Sequence, residues 1–291
     1  MKDLRQVTII GMGLLGGSIA LAVLRALSGV RVVGFSHRAS TRRKARELLV
    51  TGEVVDDIKE SVSSADLVIL ATPIRTFEGI FDEIAEFLPS GCIVTDVGST
   101  KVLPGRWAAR KLPKEVRYVG SHPIAGSEQR GVEFARDDLF YRAMCILTVT
   151  DKANRQAVRT LDEFWSALGC VIKRMTPEEH DAVFANVSHL PHAVAASLIN
   201  ANSSDDLRFS GMGFIDTSRV ASGPSNIWAD ILVTNSSNVT KAIDRMIQEL
   251  EKLRQAVKAE DTEKITKLLD GAREKRRKLI NLKMKKKELL L

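Results

Sequence analysis

Three segments of this chain place reactive side chains at spacings that suit chemistry. The first is Gly120-Ser121-His122-Pro123-Ile124-Ala125-Gly126-Ser127-Glu128, at the end of an apolar run. A histidine there, with an ordinary pKa near 6.5, can abstract a proton at neutral pH. The alternative is a structural histidine with satisfied ring nitrogens. The second segment is Asp96-Val97-Gly98-Ser99-Thr100-Lys101, where a strand gives way to a helix and Ser99 can orient His122 or share its hydrogen bond. The third is discontinuous: Ser188-His189-Leu190-Pro191-His192, then Gly211 to Arg219, then Trp228. His189 and His192 are three residues apart and share a helix face. With His180 they could be read as a metal site, but matching cysteine ligands are missing and the reading is no metal. Arg219 can clamp a carboxylate with two parallel hydrogen bonds, or can form a surface ion pair with Asp216.

A fourth segment supplies a cofactor site. Val7-Thr8-Ile9-Ile10 leads into Gly11-Met12-Gly13-Leu14-Leu15-Gly16, followed by an apolar helix and a second strand, Arg31 to Ser36. Strand, glycine turn, helix and strand together form the context a dinucleotide site requires. Gly11 allows the turn, Gly13 admits a diphosphate and Gly16 lets helix and strand close up. Leu14 and Leu15 within the turn, and Thr72-Pro73 after a later strand, complete the candidate cofactor set. The second strand ends in Ser36-His37-Arg38, with Arg42 and Arg43 beyond, where an NAD site usually carries Asp or Glu. A hydroxyl and guanidinium groups accept a 2′-phosphate that a carboxylate would repel. NADP is therefore favoured over NAD. The alternative for these arginines is a solvated helix start.

The elements that must hold these groups follow from periodicity. Up to about residue 174 strands alternate with helices: a helix over Thr41–Val50, a buried strand at Asp66–Ala71, an amphipathic helix over Phe77–Leu88, a strand at Cys92–Asp96 and a helix over Lys101–Lys111. Tyr118 to Ser121 enters a loop rich in Gly and Pro. A strand at Met144–Val149, a helix over Ala153–Leu168 and a short strand at Val171–Lys173 close the region. This predicts an α/β class with a Rossmann-type doubly wound sheet over residues 1–174. Thr176-Pro177-Glu178-Glu179 is a helix start, and strand signals then largely vanish. Ile243, Ile247, Leu250, Leu253 and Val257 recur three or four apart, so residues 175–291 are expected to form an all-helical substrate and dimerisation domain.

Composition bounds the class. With 291 residues, 44% hydrophobic and 27% charged, the chain reads as a soluble globular protein. No apolar run of membrane-spanning length and no signal peptide are expected. Three scattered cysteines, Cys92, Cys145 and Cys170, point to buried thiols in a reducing cytoplasm. The formal charge of +7 sits at the end: residues 273–287 carry nine Lys or Arg against one Glu, so the rest is near −1. A solvated basic tail, and neither nucleic acid nor membrane, is the expectation.

The chain resembles the prephenate and arogenate dehydrogenases of tyrosine biosynthesis. The resemblance runs from residue 6 to about 260, and rests on the segments 96–101, 121–128, 188–192 and 213–219 in that order. It implies oxidative decarboxylation of a cyclohexadiene, with His122 taking the proton of the ring 4-hydroxyl and Ser99 beside that hydroxyl. It implies that Arg219 binds a substrate carboxylate and that Ser188, His189 and His192 face the substrate, with Ser127 in the same set. Trp228 is implied to reach the partner subunit's pocket, and Glu128 and Asp216 to stand near the mouth. Helical domains make the dimer in this family. His192 resembles prephenate-accepting members, whereas Gly34 to Arg38 resembles the NADP-using, arogenate-specific branch. No residues are expected for a regulatory ACT domain or a fused chorismate mutase. The alternatives are an arogenate or cyclohexadienyl dehydrogenase, another Rossmann-plus-helical oxidoreductase (a β-hydroxyacid dehydrogenase or an imine reductase), and a cofactor-binding sensor without turnover.

Overall fold

Apolar runs such as Leu67-Val68-Ile69-Leu70 have no polar alternate residues, so a strand made from them must be covered on both faces. The computed structural model, which describes residues 4–125 and 129–288 and side chains as far as 282, shows this arrangement. Residues up to Val239 form one compact unit, and residues from Thr240 form a second.

The first unit begins with β1 (Gln6–Ile10), α1 (Leu14–Ala26), β2 (Arg31–Phe35), α2 (Ala39–Glu47), β3 (Glu53–Val54) and α3 (Ile58–Val62). It continues with β4 (Leu67–Leu70), α4 (Phe77–Ile84), β5 (Ile93–Asp96), α5 (Val102–Lys111) and β6 (Arg117–Tyr118). These strands make one parallel sheet in the order β3-β2-β1-β4-β5-β6. Alternate residues feed two cores: Leu67 and Ile69 pack in one layer with Val7 and Ile9, and Val68 and Leu70 pack in the other with Phe77 and Phe81. Each such side chain, fully buried, contributes about 1.5–3 kcal/mol. The strand order reverses between β1 and β4, and ligands bind outside the carboxyl ends of the strands at such a point.

A second sheet follows, made of β7 (Gly120–Pro123), β8 (Met144–Thr148) and β9 (Val171–Met175), with α6 (Arg155–Ala167) between the last two. The loop expected around Ser121 and His122 is therefore corrected. Gly120–Pro123 is an antiparallel partner of Cys145–Thr148, and His122 lies opposite Ile146. The backbone pairing overrides the Gly and Pro content that suggested a loop.

Beyond β9 the described residues are helical: α7 (Pro177–Phe184), a π-helical turn (Ala185–His189), α8 (Leu190–Asn200), α9 (Ser204–Leu207), α10 (Met212–Ser218) and α11 (Ser225–Thr234). Thr176 starts α7 with a capping box, its Oγ1 accepting from Glu179 N at 3.1 Å and its N donating to Glu179 Oε2 at 2.8 Å. The run 177–200 corrects one expectation, since by length and composition it could cross a membrane. Its polar side chains include the buried His180, Asp181, His189 and His192, which belong to the site described below.

Helix α12 (Ser236–Lys258) continues past Val239 into the second unit, which also holds α13 (Thr262–Glu288). Ile243, Ile247, Leu250 and Val257 on α12 are exposed in the single chain.

Candidate active site

The chemistry gathers around β5, β7 and α7. Asp96, at the end of β5, is fully buried, and its carboxylate accepts from Lys101 Nζ, from Gly98 N at 2.7 Å and from Tyr118 Oη at 2.6 Å. A buried ion pair is tolerated only when its remaining lone pairs are satisfied, as here. The effect is to fix the turn that carries Ser99. Burial, and then the Asp96 carboxylate, hold the Tyr118 phenol well above its ordinary pKa.

His122 is 9% exposed and its Nδ1 lies 2.8 Å from His180 Nε2. His180 Nδ1 lies 2.8 Å from Asp181 Oδ1. Asp181 also accepts from Lys101 N at 2.8 Å and Val102 N at 2.9 Å, the first amides at the start of α5. An ionised carboxylate only accepts, which assigns the tautomers. His180 must donate from Nδ1, so its Nε2 accepts from His122 Nδ1–H. The lone pair of His122 is thereby placed on Nε2, where it can take a proton. This is the orienting logic of a nucleophile–base–carboxylate array, applied to a base.

The expected pKa near 6.5 is corrected. Burial, followed by repulsion from His180 and Lys101, holds His122 well below its ordinary value. His180 is also lowered by burial, against the pull of Asp181. His122 is therefore neutral, and competent as a base, across the neutral range.

Asn235 joins this array to the helical segment. Its Nδ2 donates to the Asp181 carbonyl at 2.7 Å and lies 3.2 Å from His189 Nδ1. His189 Nδ1 then accepts, and the proton sits on Nε2. Burial pushes the His189 pKa down to about 4, with Asp181 and the Ser99 backbone opposing. His189 Nε2 and His192 Nδ1 are buried without a hydrogen-bond partner among the described residues. Buried polar atoms are rarely left so, which makes these two nitrogens candidates for the polar groups of a ligand. Burial lowers His192 as well, with the Val220 carbonyl opposing.

Trp228 lies beside the helical histidines of its own chain. Its ring stacks on His192 of the same chain, centroids 3.6 Å apart and 7° from parallel. Gly223 makes room for the pair, since a Cβ there would lie 2.3 Å from Trp228 Nε1. Ser188 is half-buried in the π-helical turn. Arg219 is exposed on the 3-10 turn (Arg219–Ser222) that packs against α8, and Asp216 is exposed on α10. Ser127 and Glu128 lie outside the described residues.

The glycine turn faces a cleft of about 310 Å3, within the range of small-ligand sites. Gly13, Leu14, Leu15, Thr72, Pro73 and Ser99 all line it, so the candidate cofactor and catalytic segments meet there. The three glycines differ physically. Gly11 has φ +106°, and a Cβ would sit 2.6 Å from the Ala71 carbonyl. A Cβ on Gly16 would lie 1.8 Å from Gly11 O, whereas Gly13 has open space on that side. The first turn of α1 carries no acidic residue. An open backbone against a helix N-terminus fits a dinucleotide's diphosphate.

The end of β2 is more mixed. Ser36 is half-buried, and His37 and Arg38 are exposed. Arg42 bonds the Ser36 carbonyl at 2.7 Å, the His37 carbonyl at 3.1 Å and Asp56 at 2.6 Å. Arg43 lies 3.9 Å from Glu47. Arg42 therefore braces this turn, and its expected availability for a phosphate is corrected.

Sequence reasoning missed Asp181 and Asn235, and took His180 only as a conceivable ligand. Two titratable residues just inside a capped helix, on the side carrying Phe184, were the available signal.

Comparison with known proteins agrees with this geometry. Residues 19–174 match the family described as prephenate dehydrogenase, nucleotide-binding domain, and residues 176–271 match prephenate dehydrogenase, dimerization domain. The chain is 36% identical over 283 residues to a prephenate dehydrogenase of Bacillus subtilis, covering 95% of this chain and 76% of the relative. It is 34% identical to a cyclohexadienyl dehydrogenase of Zymomonas mobilis, covering 90% and 91%. Prephenate dehydrogenase from Aquifex aeolicus, solved with hydroxyphenyl propionate and NAD+, superposes with a TM-score of 0.89 at 32% identity, covering 95% and 99%.

Proposed function

Because this chain belongs to the prephenate dehydrogenase family, we propose that it converts prephenate to 4-hydroxyphenylpyruvate by NAD(P)-dependent oxidative decarboxylation in tyrosine biosynthesis. The observation that carries the reading is the Asp181–His180–His122 array at 2.8 Å spacings, tied through the Lys101 and Val102 amides on Asp181 to the segment whose Ser99 lines the glycine-turn cleft. The nicotinamide, when bound, accepts the hydride from the ring carbinol carbon.

His122 Nε2 takes the ring hydroxyl proton, and the imidazolium that forms is stabilised through His180 by the Asp181 carboxylate. Ser99 stands beside the hydroxyl. Loss of the ring carboxylate as carbon dioxide returns its electron pair to the ring, and the ring oxygen regains the proton from His122 to leave the aromatic product. Arg219 holds a carboxylate of the substrate, and Ser188, His189 and His192 supply polar contacts. The buried, unpartnered nitrogens of the two histidines support that role. Asp216 stands at the mouth.

Gly13, Leu14, Leu15, Thr72 and Pro73 hold the dinucleotide, with Gly11 and Gly16 shaping the turn. Ser36, His37 and Arg38 read the 2′ position, and the absence of a carboxylate among them favours NADP. Residues 1–174 act as the cofactor domain, and 175–291 act as the substrate and dimerisation domain. The exposed apolar residues of α12 and the dimerization-domain match support a homodimer. Three buried free cysteines suit a cytoplasmic enzyme.

A two-by-two assay tests the reading: prephenate or arogenate, with NAD+ or NADP+, followed at about 340 nm as reduced cofactor forms. Prephenate with NADP+ should give the highest kcat/KM. Reduction with arogenate alone establishes the arogenate alternative instead. Ser36→Asp should shift the NADP/NAD ratio more than about tenfold toward NAD. A strong wild-type preference for NAD, unmoved by that change, places the reading of the ribose elsewhere.

A further inference from the structure

The segment 129–138, beyond strand β7, lies along α1 as a strap and is fastened to α1 and α2 at several points. Gly17 on α1 has so little space that a Cβ would come within 2.8 Å of Ala135 Cβ. Arg136 N donates to Ser18 Oγ at 3.0 Å. Glu133 pairs with Lys44 of α2 at 2.8 Å, and Asp137 pairs with Arg25 of α1 at 3.1 Å. Exposed ion pairs stabilise little on their own. The close helix contact and the buried Val132 fix where the strap lies.

That placement has a chemical consequence at Arg130. It is exposed and lines the cleft on which Gly13, Leu14 and Leu15 open. Most charged neighbours on the strap are paired, as Glu133, Arg136 and Asp137 are. Arg130 has no hydrogen-bond or ion-pair partner among the described residues. The positive end of α1, without an acid in its first turn, faces the same space. Two sources of positive charge thus converge on one cleft that contains the glycine turn, and the carboxylate that also lines it, Asp230, is paired with Arg75 at 3.8 Å. A diphosphate on Gly13 presents paired oxygens that a guanidinium fork matches.

We infer that Arg130 is a cofactor-binding residue that grips the dinucleotide's diphosphate in the cleft it shares with the glycine turn. This rests on the dinucleotide reading given above. It gives the strap a role: the chain that leaves the catalytic strand β7 also grips the cofactor.

The test is calorimetric binding to the full chain without substrate, using NAD+, NADP+, ADP-ribose and adenosine as probes. Arg130→Gln should weaken NAD+, NADP+ and ADP-ribose alike, by about tenfold to a hundredfold, the scale of a lost charge-assisted bond. Adenosine, which has no phosphate, should bind as before. Arg130→Lys should recover part of the loss. Thermal melting separates misfolding from lost binding, and this exposed side chain should leave the melting temperature unmoved. NAD+ and ADP-ribose binding within twofold of wild type in Arg130→Gln overturns the inference. A loss confined to NADP+ also overturns it and moves Arg130 to the 2′-phosphate. Failure of the wild-type chain to bind any of the dinucleotides overturns the cofactor reading itself, a result distinct from an insensitive variant.

Discussion

Asp181→Asn should separate the base from the carboxylate that orients it. The Asp181 side chain is 2% exposed and holds three donors: Lys101 N, Val102 N and His180 Nδ1, at 2.8, 2.9 and 2.8 Å. An asparagine has one acceptor oxygen and one amide that donates, so at least one of the three donors faces another donor. Charge-assisted bonds contribute about 1.5–3 kcal/mol each, and breaking a buried charged network costs about 3–5 kcal/mol. A loss of stability on that scale should appear as a lower urea midpoint. If the amide faces His180, the proton moves to His180 Nε2, His122 Nδ1 becomes the acceptor, and Nε2 of His122 carries the hydrogen. The base then points its proton at the substrate. A wrong tautomer in such an array lowers kcat by on the order of 10²–10⁴, while KM and cofactor affinity change little. His180→Gln keeps Asp181 on the α5 amides and so isolates the effect on turnover from the effect on stability. Steady-state kinetics from pH 5 to 9 reads both variants. A kcat within threefold of wild type in both, with an unmoved pH profile, would refute the reasoning.

Further outcomes follow from the same geometry. Burial lowers the His122 pKa, so its neutral form persists to lower pH, and kcat/KM should already be on its plateau at about pH 6.5. A rise centred at or above that value would show an unperturbed histidine. His122, His180, His189 and His192 are all depressed in the folded state, so the unfolded chain binds more protons as pH falls. Their contribution to stability is complete above the unfolded pKa of about 6.5 and is lost as pH drops through the folded values, about 4 for His189. Urea midpoints should therefore fall between pH 7 and pH 5, and a midpoint that rises contradicts this. Arg219→Ala should raise KM for prephenate by about tenfold or more, with cofactor affinity unchanged. Equal losses for substrate and cofactor would move Arg219 out of the substrate site.

The parallel sheet was legible because its strands are apolar throughout and its glycine turn stands between a strand and a helix. Two short elements escaped, β3 (Glu53–Val54) and α3 (Ile58–Val62), because two and five residues leave no periodicity to read. Strand β7 escaped for another reason: Gly120-Ser121-His122-Pro123 has turn composition, and its pairing with Cys145–Thr148 is set by tertiary contact. The reactive residues His122, Ser99, His189 and His192 could be singled out by type and setting. The array behind His122 could not, because His180 and Asp181 are 58 and 59 residues away in sequence and adjacent only in space. The same holds for Asn235, which links His189 to the Asp181 backbone across 54 residues.

The central claim is that His122 is the base for the ring hydroxyl. Its most direct test is His122→Asn, with prephenate turnover and cofactor affinity measured on the same preparation. Turnover should fall by about 10²-fold or more at every pH from 6 to 9, while the cofactor binds as tightly as to wild type. A variant that keeps near-normal kcat across that range would contradict the account.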